Sequence, residues 1–322
     1  MKIIGPSFQI IDEYEKRGEI LEQIERCGRI CYKSEDRITA GSAVKFIKGI
    51  VERGHESVLE MASIVFDIKL DTEAPMAKFF EIVPGFCKSD RLDKKRFLVS
   101  GNPRVFRDLA RAHGNLKVVK AILRVLTDRY PALFQDVAPR HGWIPQDGVA
   151  VRFMPAPEVS SLNSDLFARH KTILMRLVIN RAVSHELVRH RVASYLQESQ
   201  RYCRYGEARF GGEVVFIRPC FYEEGSREYE IWLSAMSSAE KSYLDLLDTS
   251  SPQAARTVLP NSCKTEIMVH ATIEEWRHIM RLRASRAADP SMREIMLKIL
   301  PELAGRYPDA FGPLVQALAS VE

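Results

Sequence analysis

The densest group of reactive side chains lies between Arg181 and Arg204. There Arg181, Arg189, Arg191, Arg201 and Arg204 stand among His185, His190, Glu186, Gln197, Glu198, Ser199 and Gln200, with no lysine in the segment. Guanidinium meets phosphate or a planar carbonyl through paired donors, whereas lysine acts as a point charge. The segment therefore points to recognition of a phosphate or a heterocycle, with an Arg–Glu ion-pair network at a subunit contact as the alternative. His185-Glu186-Leu187-Val188-Arg189-His190 approaches the H-E-x-x-H of zinc proteases, but its second histidine comes five residues after the first. On a helix of 3.6 residues per turn that spacing swings the two rings roughly 140° apart, so they cannot close on one metal in that way.

Smaller groups accompany it. His55-Glu56-Ser57-Val58-Leu59-Glu60 offers donors and acceptors in one hexapeptide, Arg256 precedes Val258-Leu259-Pro260, and Arg283 follows Trp276, Ile279, Met280 and Leu282. Taken singly, the first reads as a polar cap and the two arginines as surface residues. Cys220 follows Pro219 without an evident base and reads as a small hydrophobe rather than a nucleophile. Neither G-x-G-x-x-G nor G-x-x-x-x-G-K-[ST] occurs, which argues against a Rossmann dinucleotide site and a P-loop.

The elements that must position these groups belong to a soluble globular chain of 322 residues, 46% hydrophobic and 28% charged, large enough to fold on its core alone. The formal charge of +5 suits an anionic ligand but does not mark a nucleic-acid binder. The six cysteines form no C-x-x-C pair and read as reduced thiols. With no leader-like apolar run and no span for a bilayer, the expected location is cytoplasmic, away from membranes.

Apolar spacing predicts a helix from Tyr14 to Cys31 and another from Ser42 to the stop at Gly54, followed by a strand over Ser63 to Leu70. Helical stretches near Ala74 to Ile82 and Leu116 to Tyr130 interrupt a segment rich in proline and glycine, where the charge run Asp90 to Arg96 reads as a solvated turn. A second strand-like run, Ile173 to Ile179, feeds a helix from Ala182 to His190. Val214 to Ile217 reads as a hairpin strand, and Glu228 to Asp248, Ser251 to Leu259 and Glu274 to Leu282 as helices in a mostly helical last third.

Arg189-His190-Arg191, seven residues and then Ser199 match the R-H-R-x7-S signature of the flavin-dependent thymidylate synthases, which this chain resembles over roughly residues 1 to 70 and 173 to 315. RHRVASYLQESQRY is similar to that family's substrate loop, and His55 to Glu60 to its H-E-[ST]-x-x-E segment. The resemblance implies an α+β fold, a mixed sheet flanked by helices in one catalytic domain, and a homotetramer with sites shared between subunits. It further implies FAD as cofactor, dUMP as substrate, and methylenetetrahydrofolate and NADPH as co-substrates.

Carried over by motif, His55, Ser57, Glu60, Arg189, His190, Arg191, Thr272 and His278 would contact FAD. Glu186, Arg189, Gln197, Glu198, Ser199, Gln200, Arg201, Arg256 and Arg283 would bind the nucleotide, with Arg283 and Ser199 serving catalysis. The chain departs from the pattern at Thr272-Ile273-Glu274, where Asn-x-Arg is usual, at Met61 and at Leu196. Residues 72 to 172 form a family-atypical insertion, expected to be mainly helical. A C5-methylase of another pyrimidine nucleotide such as UMP, or a homologue that binds without turnover, remains an alternative.

Overall fold

The computed structural model describes residues 1–139 and 146–320. Its helices are α1 (Glu13–Arg17), α2 (Ile20–Tyr32), α3 (Ser42–Glu52), α4 (Ala74–Ile82), α5 (Pro103–His113), α6 (Lys117–Arg129), α7 (Pro131–Phe134), α8 (Ala156–Ser160), α9 (Ser164–His170), α10 (Arg181–Leu187), α11 (Arg227–Thr249), α12 (Pro252–Ala255), α13 (Ile273–Arg283), α14 (Pro290–Arg306) and α15 (Pro308–Ala319). Its strands are β1 (Lys2–Ile4), β2 (Ser7–Ile11), β3 (Ile64–Leu70), β4 (Lys88–Arg91), β5 (Arg96–Gly101), β6 (Val149–Met154), β7 (Thr172–Asn180), β8 (Ala193–Gln197), β9 (Val215–Ile217) and β10 (Lys264–Thr272). The fold is α+β.

One sheet runs β2-β7-β10-β8 and the other β4-β5-β3-β6, and every pairing within them is antiparallel. The parallel component of the expected mixed sheet is confined to the β1–β9 pair, so Val215–Ile217 is not the hairpin strand its sequence suggested. Residues 72–172 are richer in helix than in strand, yet they also supply β4, β5 and β6, which build the second sheet around β3. The charge run is correspondingly no simple turn. Asp90 and Arg91 pair with β5, while Arg96 opens β5 and closes on the Asp67 carboxylate of β3 at 2.6 and 2.8 Å.

Core burial follows the sequence period. α2 buries Ile20, Ile24, Cys27, Ile30 and Cys31 along one stripe, and these share a hydrophobic cluster with Phe66 of β3 and with Phe106, Ile122 and Leu126 of the insertion. A second cluster sets α13 and α14 on β7 and β10. Trp276 is its largest anchor, fully buried, with its indole N–H donating to the Ile173 carbonyl at 3.1 Å. Among the described residues no helix is long and apolar enough to cross a membrane.

Candidate active site

Helix α13 begins at Thr272, whose hydroxyl accepts from the Glu275 amide at 3.2 Å and so caps the first turn. From there Trp276, Ile279, Met280 and Arg283 follow at helical spacing on one face, the first three buried against the sheet. Arg283 is thereby held half-buried at the end of an apolar stripe. Leu282 lies off that stripe and is 46% exposed, outside the apolar face to which its sequence position assigned it.

The Arg283 guanidinium meets α10 and the turn after it. Its Nε donates to His190 Nε2 at 2.9 Å and its Nη1 to the Glu186 carboxylate at 2.8 Å. Asn180 caps α10 through the Val183 amide, and the His190 amide reaches back to the Leu187 carbonyl, so the helix and its exit turn fix both partners. His190 is buried. Burial first, then the charges of Arg283 and His278, push its imidazole down to about 4, so it is neutral and free to accept from Arg283. The His278 ring meets His190 edge-on at 5.8 Å between centroids. His185, on α10 itself, points outward and is exposed.

A second group surrounds a cleft of about 810 Å³ between the His55–Glu60 segment and β8 with the turn beyond it. His55, Ser57, Gln197, Ser199 and Arg201 line it, with Tyr32 and Tyr202. Gln197 Nε2 donates to Ser184 of α10 at 2.8 Å, linking the cleft wall to the helix that carries Glu186. The Ser199 amide donates to the Cys31 carbonyl, and the Ser199 carbonyl accepts from Tyr202 and Cys203, which fixes the turn. Cys31 also lines the cleft, but burial pushes its thiol up to about 12, so it offers no thiolate.

Helix α5 closes on the same place. Arg104 of α5 reaches the Glu60 carboxylate at 2.6 Å, and Ser194 of β8 donates to its other oxygen at 2.9 Å. Arg107 and Arg111, further along α5, both reach Glu56. Arg111, helped by Arg107 and opposed by burial, holds the Glu56 carboxyl at about 2. From β4, Lys88 approaches Glu274 at 3.7 Å, placing a cation beside the acid that stands where the resemblance leads one to expect arginine.

The remaining residues singled out in the sequence are placed differently. Glu198 is buried and directed into the fold: Lys264 donates to it at 2.7 Å, Tyr205 at 2.9 Å and the Glu266 amide at 3.2 Å. Gln200 turns to the Cys263 sulfur at 3.5 Å. Arg256 lies in the short 3-10 turn after α12 and lines neither group. Within one chain, the candidates thus fall into the Arg283 group, the cleft group and an isolated Arg256. Arg189, Arg191, Arg201 and Arg256 have no carboxylate partner among the described residues, in contrast to the paired arginines of α5. Missed in the sequence were Arg104 and Arg111, cleft residues brought there by α5 packing on the distant His55–Glu60 segment.

Fold and site together define an α+β chain with a polar cleft on which Arg201 has no carboxylate partner among the described residues, an arrangement suited to a nucleotide or another phosphate-bearing ligand. The family model described as "Thymidylate synthase complementing protein" matches residues 15–74 and 165–309, and the chain belongs to that family. It is 34% identical over 150 residues to the flavin-dependent thymidylate synthase of Corynebacterium glutamicum, covering 42% of this chain and 58% of that protein. The corresponding enzyme of Pyrococcus abyssi is 32% identical over 152 residues, covering 47% and 62%, and that of Pyrococcus furiosus 31% over 162, covering 50% and 65%. The match spans about three-fifths of the length of these relatives.

Proposed function

We propose that the chain is an FAD-dependent thymidylate synthase, a cytoplasmic homotetramer that methylates dUMP at C5 with methylenetetrahydrofolate as carbon donor and NADPH as reductant. The observation that carries this reading is an Arg201 on the cleft without a carboxylate partner among the described residues, together with an Arg283 locked by Glu186 and a neutral His190. Arg201 and Ser199 would hold the nucleotide phosphate through charge-assisted hydrogen bonds. Arg256, remote from the cleft within one chain, would join from a neighbouring copy. Arg283 would set its charge against the uracil carbonyls and stabilise negative charge on the ring.

The residues fit a flavin dinucleotide. A cleft of this volume accepts a large cofactor, His55 and Ser57 are exposed on it, and Arg189, Arg191 and His278 add donors beside the Arg283 group. When bound, the flavin supplies the redox chemistry, and the protein supplies binding and orientation. The high thiol pKa of Cys31 agrees with a route in which no cysteine attacks the pyrimidine.

Release of tritium from C5-labelled dUMP, with methylenetetrahydrofolate and NADPH present, tests the reading. Turnover of dUMP by yellow, FAD-containing protein is expected, and turnover of UMP alone would move the assignment to a different pyrimidine. The capping role of Thr272 and the Lys88–Glu274 pair favour a second reading, a homologue that binds nucleotide without turnover. Protein that binds dUMP yet takes up no FAD would select it.

A further inference from the structure

A second cavity, of about 210 Å³, lies at the seam between the two four-stranded sheets and shares no lining residue with the cleft. Its apolar lining has Ile20 and Leu174 on one side and Val65 and Phe153 on the other, with Gln23, Ser63 and Thr172 among its polar groups. Its charged lining consists of arginines, with no carboxylate among them. Arg129 lies 4.1 Å above the Phe153 ring, spends its Nε on the Tyr130 hydroxyl at 3.1 Å, and has no carboxylate partner among the described residues. A stacked guanidinium with its terminal nitrogens uncommitted is suited to an anion.

The polar floor is His270, 6% exposed, in the interior strand β10. Its Nδ1 donates to the Glu60 carbonyl at 2.9 Å, which leaves Nε2 as an acceptor, and Nε2 has no hydrogen-bond partner among the described residues. A buried acceptor left unpaired keeps its desolvation cost without a compensating bond, so it calls for a donor. The neighbouring His170 makes no such demand, because Ser100 and Asp90 engage its two nitrogens at 2.8 and 3.1 Å.

We propose that this cavity is a binding site for a small hydroxy or amino acid-type anion with an apolar body. Its anionic group rests on Arg129, its hydroxyl or amino group donates to His270 Nε2, and its body lies between Phe153 and Leu174. A cavity of roughly 150 Å³ holds benzene, so the volume here suits a molecule of about ten non-hydrogen atoms. The site is independent of the proposed methylation, although the His270–Glu60 bond ties its floor to the backbone of the segment that lines the cleft.

Calorimetric titration of the full-length protein with 3- and 4-hydroxybenzoate and 2-hydroxy-4-methylpentanoate tests the assignment, each acid matched to its primary amide and to its analogue lacking the hydroxyl. At least one hydroxy acid should saturate the protein with Kd of about 1 mM or tighter, a modest demand on ten atoms. Its amide and its deoxy analogue should bind about tenfold more weakly. Arg129→Gln and His270→Asn should each cost about tenfold, the latter retaining a donor for the Glu60 carbonyl, while Arg201→Ala in the separate cleft should leave the affinity unchanged. If His270→Asn does not fold, Arg129→Gln decides alone. The proposal is overturned if no hydroxy acid saturates below about 10 mM, if the amides bind equally well, if Arg129→Gln binds like the parent, or if crystals soaked with the acids show only water in the cavity.

Discussion

At the scale of single residues, the site depends on which groups are charged. Arg283 is held between a carboxylate and an imidazole that burial keeps neutral, so its charge is positioned before any ligand arrives. Arg283→Gln keeps the shape and removes the charge; dUMP turnover should fall on the order of 10²- to 10³-fold by analogy with loss of one oxyanion donor, with the circular dichroism spectrum unchanged. His270 gives a prediction about stability. Burial pushes its imidazole down to about 4, against the opposing bond to Glu60, whereas the unfolded ring titrates near 6.5. Below that value the unfolded state binds the extra proton, so acid favours unfolding, and stability is lost as pH falls from about 6.5 through about 4. The loss approaches about 3 kcal/mol for so buried a ring. Denaturation midpoints at pH 7.5 and 4.5 should therefore differ less in His270→Asn than in the parent, in a window where Glu56 and Glu266, both held at about 2, stay ionised.

At the scale of elements, α5 is tied to the His55–Glu60 segment by its arginines. Arg107 is fully buried, reaches Glu56 at 2.9 Å and Asp136 at 2.6 Å, and donates to the Leu133 carbonyl. Arg107→Met fills the space but leaves Asp136 without its cation and Glu56 with Arg111 alone. Because Asp136 is half-exposed and Glu56 keeps Arg111, the loss is that of the buried Arg107 hydrogen bonds, roughly 1–3 kcal/mol, and the midpoint of thermal unfolding should drop by several degrees, a loss that a surface change such as Arg124→Met should not reproduce. None of this was legible in the sequence, because Asn102 and Pro103 open α5 where only proline and glycine punctuation was read. Regular apolar spacing matches the structure in α3, α4, α11 and α13, and in β3 and β7, whereas the helix expected from Tyr14 to Cys31 is broken at Gly18, which takes a positive φ, into α1 and α2. The reading failed at β4, hidden in a charge run, and at β10, a strand in the last third that was expected to be mostly helical. In the fold burial raises Glu266 of β10, yet Lys264, Lys33 and Arg176 outweigh it and hold the carboxyl at about 2. The R-H-R-x7-S residues were legible as a set. That Glu198 turns inward was not, since its partners lie on β10 and in the Tyr205 turn.

At the scale of the whole molecule, the question is how separate groups become one site. Arg201 lines the cleft, whereas Arg283 sits with Glu186 and His190 outside the set of cleft-lining residues. A homotetramer with shared sites resolves the separation if one copy supplies the cleft and a neighbour supplies the Arg283 group. Complementation tests this. Arg201→Ala and Arg283→Gln should each be nearly inactive alone. When the two are denatured together in equal amounts and refolded, half the clefts carry an intact Arg201, and half of those face an intact Arg283. About a quarter of the parent's dUMP turnover should return, because random assembly in a symmetric oligomer leaves the two contributions independent. A site built within one chain predicts no recovery, since no single chain in the mixture carries both arginines. The refolded sample must elute as the same oligomer as the parent, which separates failed assembly from a site that one chain builds alone.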